Sequence, residues 1–167
     1  MSRLVVFAGF IALSACRISL EDGGQATPID SNVDAPLSPS CMEALTRSDL
    51  AFIETKIFAQ SCIFSGCHNG ANTDAGRLDL RAGMSFNELV NVSSETSSTY
   101  KYVVPGQPTQ SHLLMMIQHI PPADMSPPTV APDPQIGFMP SNAGGRPLCV
   151  EKRDAIQRWI VAGAPAS

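Results

Sequence analysis

The chain has 167 residues, 44% of them hydrophobic, and a formal net charge of −4, which is enough to bury one ordinary core but not two. Charged residues amount to only 16% and no run of Lys or Arg occurs, so the electrostatic basis for nucleic-acid binding is missing and no nucleic-acid partner is expected. No G-x-S-x-G elbow, H-E-x-x-H pair or phosphate-binding glycine loop occurs either, which removes the conventional hydrolase and nucleotide signatures.

Residues 1–15 read as an export signal: Arg3 precedes an apolar run from Leu4 to Leu13 that is too short to span a bilayer comfortably. Leu13-Ser14-Ala15-Cys16 resembles the lipobox of bacterial lipoproteins, which makes Cys16 the expected lipid-attachment residue and new N-terminus. The alternative is an ordinary cleaved signal in which Cys16 has no special role. Several acyl chains give lasting attachment where one does not. Arg17 stands where an aspartate would mark inner-membrane retention. The expected location is therefore the bacterial cell envelope, facing the periplasm, with the outer membrane favoured. Residues 16–40, rich in Gly, Pro, Ser and Asp, read as a flexible tether that cannot bury enough surface to offset its ordering entropy.

The folded domain is expected over residues 41–167. Ser48 is placed to N-cap a helix from Asp49 towards Gln60, with Leu50, Phe52, Ile53, Ile57 and Phe58 at helical spacing. Ser85 and Glu88 form the pattern of a capping box for a short second helix. A third helix is predicted from about Thr109 to Gln118, between Pro108 and Pro121. A last one is predicted from about Val150 to Val161, with Ala155, Ile156, Trp159 and Ile160 on one side and a stop at Gly163 and Pro165. No segment alternates as a strand, so the fold class is all-α, small, with long Pro/Gly-rich loops. The proline- and glycine-dense stretch 121–147 is long for a domain of this size and is expected to be ordered for a use.

The chemistry concentrates in Cys62, Cys67 and His68, a C-x4-C-H array. Covalent haem c is held by two thioethers, with the histidine after the second cysteine turned under the iron, and its usual spacing is C-x-x-C-H. Two extra residues can loop outward without separating the sulfurs, and Gly66 offers a flexible position for such a turn. Two other readings stay open at this point. In an oxidising compartment Cys62 and Cys67 could form a local disulfide, or they could bind zinc together with His112 and His119.

The order IFAQSCIFSGCHNG, AGRLDLR, VVPGQPTQSHLL, FMP and AIQRWIVAGAP resembles the single-haem cytochrome c domains of bacterial lipoproteins of the planctomycete and myxobacterial type. The resemblance covers about residues 48–165 and departs from the usual haem-attachment motif in its C-x4-CH spacing. It implies a cytochrome c-like fold with covalent haem c on Cys62 and Cys67. It further implies His68 as proximal ligand and Met139, of the Met139-Pro140 pair, as distal ligand, with Met125, His112 and His119 as competitors. A His/Met pair raises the reduction potential, which suits an electron carrier. The packing of terminal helices that the family implies would bring Cys41 and Cys149 together as a disulfide. Phe58, Phe64, Leu78, Leu80, Leu113, Leu114, Phe138 and Trp159 would wall the haem or form an ordinary core, and Tyr100 and Tyr102 are expected as partly exposed loop residues.

The expected function is that of a lipid-anchored electron-transfer protein rather than an enzyme, with an unidentified redox protein as partner and the membrane reached through its N-terminal lipid. The alternative is a haem-free, disulfide-stabilised envelope lipoprotein serving as a structural or protein-binding module.

Overall fold

The computed structural model describes residues 37–73, 75, 77–141 and 147–167. The expected signal peptide, the lipid-attachment residue Cys16 and the tether up to residue 36 lie outside them. Five helices, numbered α1–α5, and two 3₁₀ turns, Pro108–Gln110 and Pro122–Asp124, carry the described chain. Helix α1 is Pro39–Ala44, capped by Ser38, whose side chain accepts from the Cys41 amide. Proline in its first turn suits a position that needs no N–H donor.

Helix α2 runs as an α-turn Leu50–Phe52, a π-helical stretch Ile53–Phe58 and a closing turn Ala59–Ser61. Its N-cap is Asp49 rather than the expected Ser48: the Asp49 carboxylate accepts from the Phe52 amide at 2.9 Å. Arg47 holds that carboxylate from outside at 2.8 Å, which keeps it ionised and so the stronger acceptor for an orphan amide. The π register shows in the Ala59 amide bonding to the Glu54 carbonyl, five residues back. The Thr55 hydroxyl donates to the Ala51 carbonyl at 2.7 Å, occupying an acceptor of the ordinary α ladder.

Helix α3, Ser85–Leu89, begins without a side-chain cap, so the expected Ser85/Glu88 capping box does not form. The Ser85 hydroxyl donates instead to Glu54 Oε1 at 2.7 Å, and the Gly83 amide reaches the same oxygen at 3.0 Å. A buried carboxylate outcompetes a helix amide for the hydroxyl because charge-assisted bonds are the stronger ones.

The expected third helix is split into a 3₁₀ turn Pro108–Gln110 and α4, His112–Met116. Ser111 breaks it: with extended backbone, its buried hydroxyl accepts from the Val104 amide and donates to the Gln107 carbonyl, both at 2.9 Å. Helix α5, Val150–Val161, matches the expected span and buries Ala155, Ile156, Trp159 and Ile160 together with Lys152. It ends where Gly163 takes φ +92°, the left-handed conformation that glycine adopts without cost.

Among the described residues there is no extended strand, only isolated bridges Val90 to Val103, Ser93 to Lys101 and Lys101 to Ser111. The class is all-α. The main core joins Phe52, Ile53, Ile57 and Phe58 of α2, Leu113 and Leu114 of α4, and Ala155, Ile156, Trp159 and Ile160 of α5. A second, smaller cluster gathers Tyr100, Met115, Met116 and Met125. Residues 121–141 of the proline-rich stretch are tied down by backbone bonds: Ser126 donates to Thr109, Thr129 to Pro122 and Met139 to Met116, at 2.8–2.9 Å, while residues 142–146 lie outside the described ones. No helix among the described residues is long and apolar enough to cross a membrane.

Candidate functional site

Helix α2 delivers the chain to Cys62, whose amide bonds to the Phe58 carbonyl at 2.8 Å. From there the backbone makes a closed loop: the Cys67 amide reaches Phe64, and the His68 amide returns to the Cys62 carbonyl at 3.0 Å. Phe64, Ser65 and Gly66 form the exposed tip, with Gly66 at φ +79°. The extra residues of the C-x4-C spacing thus project outward while the ends of the loop meet. Phe64 goes out with them, 47% exposed, and does not wall a pocket as expected.

Cys62 and Cys67 are both free, half-buried thiols, which sets aside a local disulfide between them. Cys62 packs against the main core, and burial pushes its thiol up to about 12, with Cys67 adding to the rise and Lys152 opposing it. Lys152 is a buried residue that sequence reading missed; its Nζ donates to Gln60 Oε1 at 3.4 Å, and burial lowers its basicity while the nearby Cys62 partly restores it. A signal for it existed: 152 falls on the 155, 156, 159, 160 stripe of α5.

His68 Nδ1 lies 2.7 Å from the Ala75 carbonyl. Facing a carbonyl oxygen, that nitrogen must be the donor, so the neutral ring carries its lone pair on Nε2. Burial lowers the affinity of the ring for a second proton, against the pull of the Ala75 and Leu78 carbonyls. The backbone on the far side is fixed as well, because the Leu80 amide donates to the His68 carbonyl at 2.9 Å. Gly70, at φ +73°, lets the Asp79–Arg81 ion pair close over this turn, where a Cβ would come within 2.8 Å of both side chains.

Met139 is half-buried and packs against both apolar clusters. Its competitors are engaged elsewhere. Met125 is 2% exposed inside the second cluster. His112 Nδ1 bonds with the Ser94 hydroxyl at 2.9 Å and its ring stacks on Tyr100, while His119 Nε2 faces Gln157 and Asp154. Cys62 and Cys67 do not converge with these histidines into a zinc set among the described residues. Phe58, Leu80, Leu113, Leu114 and Trp159 are buried as expected, and Leu78 and Phe138 partly so. Tyr100 is not a partly exposed residue but a buried one, its hydroxyl donating to the Pro127 carbonyl. Tyr102 is half-buried, its oxygen accepting from the Glu95 amide.

Cys41 and Cys149 are joined as a disulfide. No protein-family model matches the chain, and no curated protein and no solved structure matches it.

Proposed function

We propose that this chain is a lipid-anchored c-type cytochrome carrying single electrons at the periplasmic face of a membrane. Haem c would be attached through Cys62 and Cys67, with His68 and Met139 as axial ligands. The observation that carries the reading is the Nδ1 bond from His68 to the Ala75 carbonyl, next to two free thiols on a loop whose ends meet. Metal-ligating histidines characteristically donate their second nitrogen in this way, which fixes the tautomer and the ring orientation.

Bound haem c supplies one-electron chemistry by cycling iron between ferrous and ferric states. The chain's own residues do the rest. Burial holds His68 in the neutral form that a metal requires. Met139 offers a thioether from a loop anchored by its own amide to Met116, and Cys62 and Ile63 pack the start of the C-x4-CH loop against the main core.

The test is expression beside a cytochrome maturation system, followed by an absorption spectrum and intact-protein mass. Reducible c-type bands and a mass raised by one haem are expected, and Met139→Ala should lose the sulfur-to-iron charge-transfer band. A colourless protein with both thiols unmodified would instead support a haem-free envelope lipoprotein. That second reading draws on the Cys41–Cys149 bond, which ties the first and last helices of the described domain together.

A further inference from the structure

We infer that Cys41, Cys149 and Glu151 form a redox-gated site for a thiophilic divalent cation such as zinc, closed while the disulfide is intact and opened by its reduction. Among the described residues this is the group of three whose ligand atoms all lie within 4.8 Å of one another. The closeness of the two sulfurs is that of their bond, so the proximity that bears on a metal is that of the Glu151 carboxylate to both of them; once reduced, the thiolates would have to stand roughly 3.7 Å apart across a tetrahedral zinc.

Three further observations point to a ligand. Glu151 is half-buried as a residue, and its Oε2 is shielded from solvent with no hydrogen-bond partner among the described residues, a state that a bound cation would relieve. The Ser38 hydroxyl donates to Cys41 Sγ at 3.1 Å, the kind of outer contact that orients and tunes a thiolate ligand. Cys149 is the N-cap of the twelve-residue α5, where the helix dipole favours negative charge on sulfur. The positions of the thiols do not rest on the disulfide alone. Arg158 of α5 donates to the Ala44 carbonyl at the end of α1 at 2.5 Å, and Ala44 is fully buried in the main core.

The chemistry balances with a dithiol reductant. Two electrons and two protons pass from the dithiol to the Cys41–Cys149 bond, giving two thiols and leaving the reductant as a disulfide. On metal binding both thiols release their protons to solvent, and two thiolates, the Glu151 carboxylate and a water complete four positions. Zinc then replaces one cross-link between α1 and α5 with another.

The decisive measurement is differential and uses the full chain. Zinc alone is titrated into the protein before and after reduction by a phosphine, so that Cys62 and Cys67, whether thiols or haem thioethers, contribute equally to both runs. One additional equivalent is expected after reduction. Cobalt in its place should give a thiolate charge-transfer band that the oxidised protein lacks. Glu151→Gln should weaken the additional site by about tenfold or more while thiol counting shows both cysteines still present. No additional equivalent, or Glu151→Gln binding as tightly as the unsubstituted chain, would overturn the proposal. So would loss of helical circular dichroism on reduction that zinc fails to restore. None of these outcomes depends on whether haem is attached.

Discussion

At the scale of single residues, the buried imidazoles are the most informative groups. His112 is 3% exposed, stacked on Tyr100 with ring centroids 5.5 Å apart, and bonded to Ser94. Burial lowers its pKa from the ordinary 6.5. The unfolded chain therefore binds the proton more readily, so stability is fully present above pH 6.5 and is lost as the pH falls below it. Urea midpoints measured on either side of 6.5 should show this fall. His112→Gln should make it shallower, and in the haem-free chain His68, shifted the same way, should account for part of the remainder. Sequence reading placed His112 only as a candidate metal ligand, competing for haem iron or joining a zinc set. Its actual partners, Ser94 and Tyr100, come from a segment with no regular period to read, and their pairing depends on the isolated bridges that fold 90–111 back on itself.

At the scale of elements, legibility followed the strength of the local signal. Helix α5 was readable because its apolar stripe, Gly163 and Pro165 agree with one another. The π-helical stretch of α2 was not, since Phe52, Ile53, Ile57 and Phe58 fit an α period equally well over so few residues. What the period hid is Glu54, which bridges α2 to the start of α3 through Ser85 and Gly83. Glu54→Ala leaves the Ser85 hydroxyl and the Gly83 amide without that acceptor and should cost about 1.5–3 kcal/mol, the range of hydrogen bonds to charged groups. Chemical denaturation with an unchanged slope would check it, and a loss below about 0.5 kcal/mol would show the bridge to be dispensable. The C-x4-CH loop lies between these cases: its residues could be read, whereas the Ala75 carbonyl that orients His68 is set by tertiary folding.

For the whole molecule, the all-α class and the helical face of α5 were legible, while the two-cluster core was not. The methionines of the second cluster come from α4 and from the proline-rich stretch, and no local pattern links those segments. Cys41 and Cys149, 108 positions apart, are joined through the packing of α1 on α5. Replacing both by alanine should lower stability by about 2–4 kcal/mol, the usual worth of a native disulfide closing a long loop. A thermal scan of the double variant under non-reducing conditions measures it, and an unshifted midpoint would mean that the helices alone hold the ends together.

The same bond encloses α2, α3, α4 and the C-x4-CH loop within a single covalent ring. A protease that clips the exposed segment around Val130, 79% exposed, therefore opens the ring without releasing a fragment. The clipped protein should migrate as one species until a thiol is added, and only then divide in two.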